Sequence, residues 1–118
     1  MAEMRETAVE FKFKPLLAGE TRDIVRVKVA AGEFKRGMLL ETSDGLTYAP
    51  AQTVAIGNYY TMCVEDVVLE AEGEVVTYKE GYFNKRFVTE INTDAVITDN
   101  AVEILKTKNI YLVDTIEQ

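Results

Sequence analysis

Residues 25–41 read VRVKVAAGEFKRGMLLE. Val25, Val27 and Val29 alternate with Arg26 and Lys28, the two-residue period of a strand with one apolar face and one solvated face. Gly32 and Gly37 then bracket a turn, and Met38-Leu39-Leu40 enters a further strand. Outward from this stretch the same grammar repeats. Upstream, LLAGE (16–20) supplies a turn at Gly19. Downstream, Thr42-Ser43-Asp44-Gly45 separates the strand from Leu46-Thr47-Tyr48, and an Asp-Gly pair between β-prone runs predicts a tight hairpin with positive φ at the turn. YYTMCVEDVVL (59–69) and EVVTYK (74–79) are rich in aromatic and β-branched residues, with Ala71-Glu72-Gly73 as the turn between two antiparallel neighbours. Near the end, Asn100 reads as a helix cap with Glu103 as its third helical residue, and Ala101, Val102, Ile104 and Leu105 give that helix an apolar side. Asn109 closes the helix in the left-handed conformation, and Ile110-Tyr111-Leu112-Val113 reads as a final buried strand. The expected fold is mainly β (β-rich α+β): a small compact β domain of short antiparallel strands with one short C-terminal helix and an extended N-terminal arm.

That arm is residues 1–14, ahead of a single β-rich domain at 15–118. Val9, Phe11 and Phe13 face one way and Glu10, Lys12 and Lys14 the other, until Pro15 ends the alternation. Two readings follow from this pattern: a docking arm that adds to a partner's sheet, or the first strand of the domain itself.

A chain of 118 residues has the length of one ordinary domain, and 47% apolar with 28% charged residues is a globular composition. The lone cysteine, Cys63, makes no internal disulfide, so a secreted disulfide-stapled module is excluded. Histidine is absent. With it go the common general base near neutral pH, the commonest zinc ligand and every Ser-His-Asp or Cys-His arrangement. Thirteen basic against twenty acidic residues give a net charge of −7, a field that repels nucleic acid and anionic membranes. The charge is uneven: residues 1–36 hold eight basic and six acidic groups, residues 37–118 five basic and fourteen acidic. The longest apolar run is the four residues Ile110–Val113, and MAEMRETAVEFKFK carries acidic residues where a signal peptide has an apolar core. The expectation is therefore a soluble, non-enzymatic protein with no nucleic-acid, membrane, metal or cofactor partner.

Three stretches concentrate chemistry-bearing side chains. Glu65, Asp66, Glu70, Glu72 and Glu74 are the densest carboxylates, but the glycine-punctuated ligand loop that Ca²⁺ needs is missing, and Glu70, Glu72 and Glu74 read as one solvent face around a turn. Cys63, between Met62 and Val64 with no cation beside it, reads as core. Gly81-Tyr82-Phe83-Asn84-Lys85-Arg86-Phe87 interleaves aromatics with cations. This suits a stacking platform for single strands, a self-association surface, or burial in the domain's own core.

Laid out in order, these segments resemble the lambda-type head decoration proteins of tailed phages, which coat the outside of the capsid. The resemblance runs from Leu16 to Val113 and is carried by LLAGE (16–20), VRVKVAAGEFKRGMLLE (25–41), VED (64–66), GEVVTYKEGYFNK (73–85) and the short helix followed by NIYLV (109–113). Two departures stand out: Asn109 where the family often has glycine, and the bulky Tyr59-Tyr60-Thr61-Met62-Cys63 where it usually has small residues and a glycine. What the resemblance implies is a homotrimer at local three-fold positions on the expanded head, clamping neighbouring subunits of the major capsid (coat) protein against packaged-DNA pressure. It would sit on the outer capsid surface after assembly in the host cytoplasm. The expected docking residues are Val9, Phe11, Phe13, Lys12 and Lys14, and the expected trimer contacts Tyr82, Phe83, Lys85 and Arg86. The alternatives from other classes are a tail or adaptor-type β module and a small ligand-binding β domain.

Overall fold

The computed structural model describes residues 16–95 and 97–114. Among them run eight strands and two helices: β1 (Leu17–Val29), β2 (Gly32–Phe34), β3 (Leu39–Thr42), β4 (Ala49–Pro50), β5 (Tyr59–Cys63), β6 (Val67–Leu69), β7 (Gly73–Asn84), α1 (Lys85–Ile91), α2 (Asp99–Lys106) and β8 (Ile110–Val113). The fold is mainly β, as the alternating pattern requires. The proposed arm at Val9–Lys14 lies outside the described residues.

One sheet follows the order β1-β7-β5-β3-β4, with β8 also paired to β7; β2 and β6 form a separate two-stranded sheet. β7 is the spine. Along one edge it pairs antiparallel with β1, from Val29↔Gly73 to Leu17↔Phe83. Its other edge is shared, first by β5 at Cys63↔Thr77 and Met62↔Tyr78, then by β8 at Gly81↔Ile110 to Asn84↔Val113. The β7–β8 pairing is parallel and β1 and β7 span 13 and 12 residues, which corrects the expectation of uniformly short antiparallel strands. A parallel neighbour needs a crossover, and the two helices between β7 and β8 provide it.

Two strands are buried on both sides, which explains why their apolar residues are consecutive rather than alternate. Leu39 and Met62 pack with Leu16, Phe83, Val88, Leu105 and Ile110 on the helix side. Leu40 and Cys63, the next residues along the same strands, pack with Val27, Val29, Phe34 and Val75 on the other. Each fully buried leucine or phenylalanine of these clusters contributes about 1.5 to 3 kcal/mol.

The expected pairing of 59–69 with 74–79 holds at Met62 and Cys63 only. Val67–Leu69 turns away and pairs with Gly32–Phe34, lidding the second cluster with Phe34, Val67 and Leu69. The Asp44-Gly45 turn is present, with Gly45 at φ 79°. Its hairpin is wider than expected, however, since Leu40 pairs with Pro50 and Glu41 with Ala49. Asp44 Oδ1 accepts from the Thr42 hydroxyl at 2.9 Å and the Leu46 N–H at 2.8 Å, closing a local turn inside a longer loop. Tyr48, at the end of that loop, bridges to Val29 of β1. This bridge links β1 to the residue that precedes β4, bringing the two ends of the β1-to-β4 path together.

The single expected helix is in fact two. α2 begins two residues earlier than Asn100 suggested: the cap is Thr98, whose Oγ1 accepts the Ala101 N–H at 3.1 Å. α1 was hidden in the aromatic and basic stretch. Asn84 caps it, accepting the Arg86 N–H at 3.1 Å, and Phe87, Val88 and Ile91 give it an apolar side. Asn109 ends the second helical segment at φ 64°, the left-handed residue the sequence indicated.

Candidate interaction surfaces

The stretch 81–87 divides residue by residue. Tyr82 is 46% exposed and stacks on Tyr111 of β8, ring centroids 4.7 Å apart and 17° from parallel. Phe83 is fully buried in the helix-side cluster. It is a core residue and not a surface contact, because alternation along β7 sends it to the opposite face from Tyr82. Lys85 is half-buried and reaches Asp99 at 3.6 Å, while exposed Arg86 pairs with Glu90 at 3.8 Å. The surface left by the four expected contacts is thus the tyrosine stack with a basic rim.

A second feature was not legible in the sequence. Beside the Val29–Tyr48 bridge lies a cleft of about 800 Å³, lined by Val25, Val27 and Thr61 together with Leu46, Tyr48 and Tyr59. Leu46 is 73% and Tyr59 54% exposed, and Lys108 Nζ sits 5.2 Å from the Tyr59 ring centroid, within cation–π range. The cleft carries Arg26, Lys28, Lys79 and Lys108 against Asp44 and Glu74, a local positive excess on an acidic chain. Lys28 is already drawn to Glu72 at 3.5 Å. The Asp44 carboxyl is held below its usual value by the Leu46 N–H and the Thr42 hydroxyl. Burial raises Tyr48. The residues that converge here come from β1, β5, β7 and two loops, so no local motif announces them.

The remaining chemistry-bearing groups are structural. Cys63 is buried and its thiol is pushed up to about 12 by loss of solvation. Such a thiol is inert as a nucleophile near neutrality. The Tyr60 hydroxyl takes the Ala55 N–H at 2.6 Å and donates toward the Thr53 carbonyl at 3.2 Å, pinning the β4–β5 loop. Glu65, Asp66, Glu70, Glu72 and Glu74 are all exposed; Glu65 and Asp66 lie in a loop rather than in a strand, and Asp66 Oδ1 accepts the Arg36 N–H at 2.7 Å. Among the described residues no group of three or more His, Cys, Asp or Glu is placed to hold a metal ion, and no helix is long and apolar enough to cross a membrane. No protein-family model, curated protein or solved structure matches the chain.

Proposed function

We propose that the protein is a non-enzymatic capsid decoration protein, binding the outer surface of an expanded phage head as a trimer and bracing neighbouring coat subunits. The observation that carries this reading is the ordered series of five segments from LLAGE to NIYLV, whose pieces fall on the frame of the fold: β1, β2 and β3, the loop before β6, β7, and the pair α2–β8. The described chemistry is in keeping with it, since the lone thiol is buried and no His-containing arrangement exists. In this reading Tyr82, Lys85 and Arg86 supply subunit contacts, and residues 1–14, with Val9, Phe11 and Phe13 on one side, dock on the coat as an added strand. Trimer multivalency then makes weak single contacts sufficient, because later contacts form at high effective concentration. The test is co-sedimentation of the purified protein with expanded and with unexpanded capsids. Binding to expanded capsids at three-fold positions is expected; binding to neither removes the proposal, and isolated monomers or dimers at two-fold positions in a capsid reconstruction refute the trimer.

A further inference from the structure

Among the described residues, the outer edge of β1 carries no strand along Ile24–Arg26. β1 pairs with β7 on one side, and the Lys28 carbonyl points to the other side, where it accepts the Tyr48 N–H at 2.8 Å. The Val25 carbonyl faces back toward β7, taking the Thr77 hydroxyl at 3.0 Å. The register is regular from Thr21 to Val29. Strand alternation therefore puts the backbone N–H and C=O of Ile24 and Arg26 on the outer edge with those of Lys28. Among the described residues no strand lies against Ile24 or Arg26, and the Ile24 side chain is 63% exposed.

The cleft lies along this same edge. Val25 and Arg26 belong to opposite faces of β1 yet both line it, so the opening wraps around the edge rather than sitting on one face. The exposed Leu46 and Tyr59 line it too. Within its lining Thr61 is 3% exposed, and its hydroxyl has no hydrogen-bond partner, although buried hydroxyls are ordinarily satisfied. With Lys28 held by Glu72, the three cations Arg26, Lys79 and Lys108 against Asp44 and Glu74 still give the site the sign opposite to that of the chain, which is −7.

We propose that this edge and cleft receive an extended acidic segment of a partner protein. Its main chain bonds to Ile24 and Arg26, its apolar side chains rest on Leu46 and Tyr59, and its carboxylates lie toward Arg26, Lys79 and Lys108. Main-chain bonds supply affinity in such strand addition, and the side-chain pockets supply choice of partner. The positive excess would also attract phosphates, but only a polypeptide strand satisfies a row of edge N–H and C=O groups, and the chain's overall charge opposes nucleic acid. The inference stands apart from the capsid reading, since nothing in it requires a capsid.

The test uses the full chain and two fluorescein-labelled peptides, one alternating Glu with Val and one alternating Lys with Val, read by fluorescence polarisation. The acidic peptide is expected to bind, more weakly as salt rises, with affinity reduced about tenfold or more in the Lys79→Glu/Lys108→Glu double variant. Hydrogen exchange of the Ile24 and Arg26 amides is expected to slow on binding while the amides paired with β7 stay unchanged. Ile24→Pro, which deletes an outward N–H without breaking a bond to β7, should weaken binding with the β1–β7 amides still protected. Absence of binding, equal binding of both peptides, or unchanged Ile24 and Arg26 exchange overturns the proposal. So does protection of those amides in the free protein: if independent of concentration, a segment of this chain covers the edge, and if concentration-dependent, a second copy does.

Discussion

Asn92 is the residue on which the helix–sheet junction turns. It lies just past α1, buried, and its side chain makes three bonds across the fold: Oδ1 accepts the Leu39 N–H at 2.8 Å, and Nδ2 donates to the Gly37 carbonyl at 3.0 Å and the Val88 carbonyl at 2.7 Å. Asn92→Ala strands the Leu39 N–H and the Gly37 carbonyl, while the Val88 carbonyl keeps the backbone N–H of residue 92 at 3.0 Å, and each unsatisfied buried group costs about 1 to 3 kcal/mol. A loss of about 3 kcal/mol in urea unfolding is expected; a loss below about 1 kcal/mol would show that water reaches the site. Gly37 beside it is fixed by space as well as by conformation. A Cβ there would stand 2.5 Å from the Phe87 ring, and φ is +90°. Cys63 carries a pH signature. Its folded pKa is raised from 9.0 to about 12 by burial, so the unfolded chain releases the thiol proton first. The thiol's contribution to stability is therefore complete below pH 9 and lost as pH rises from there toward 12. The wild type is expected to lose stability faster than Cys63→Ala across that window, and the native thiol should resist iodoacetamide until the protein is denatured. Parallel pH curves for the two proteins contradict this.

At the scale of elements, helix starts show where sequence signals compete. Both Thr98 and Asn100 are cap-forming residues, and Asn100 has a glutamate three places on, which made it the natural choice. The structure uses Thr98, which brings Asp99 into the first turn, where its charge complements the helix dipole. Thr98→Ala is expected to cost about 1 kcal/mol, whereas Asn100→Ala, inside the helix and exposed, should be neutral or slightly stabilising by helix propensity. Thermal melts of the two variants decide it, and the reverse order would place the cap at Asn100. α1 was missed for a related reason: Phe87, Val88, Thr89 and Ile91 are aromatic or β-branched, with weak intrinsic helix preference. What makes them helical is the Asn84 cap and the burial of Val88. Strand existence, by contrast, was legible, because alternation at Val25–Val29 reports a two-sided environment directly and the β-branched run Val75–Thr77 suits a pleated surface.

For the whole molecule, the architecture separates what the N-terminal residues could do for stability from what they could do for binding. The helix-side cluster is assembled from Leu16, Leu39, Met62, Phe83, Val88, Leu105 and Ile110, and the second cluster from β1, β2, β3, β5 and β7. Among the described residues, both clusters are assembled from Leu16 onward. Deleting residues 1–14 is therefore expected to leave the melting temperature within a few degrees of the full chain's and to abolish capsid association. Unfolding of the truncated protein would make Val9–Lys14 a strand of the domain, and normal decoration by a folded truncated protein would reassign docking to another surface.

By itself, the sequence determined the class: a β-rich chain with no histidine, one cysteine, the Gly45 turn, a capped C-terminal helix and a left-handed Asn109. These are local properties, set by side-chain period, capping chemistry and backbone conformation within a few residues. Only the tertiary structure decided which strands pair, that Leu39 and Leu40 feed two different cores, that Phe83 is interior while Tyr82 stacks outside, and that β7 divides its free edge between β5 and β8. It alone brought Arg26, Thr61, Lys79 and Lys108 to one cleft beside an open strand edge. The physical reason is that pairing, register and burial on the second face depend on partners tens of residues away. Periodicity records that a face is buried but carries no mark of what buries it.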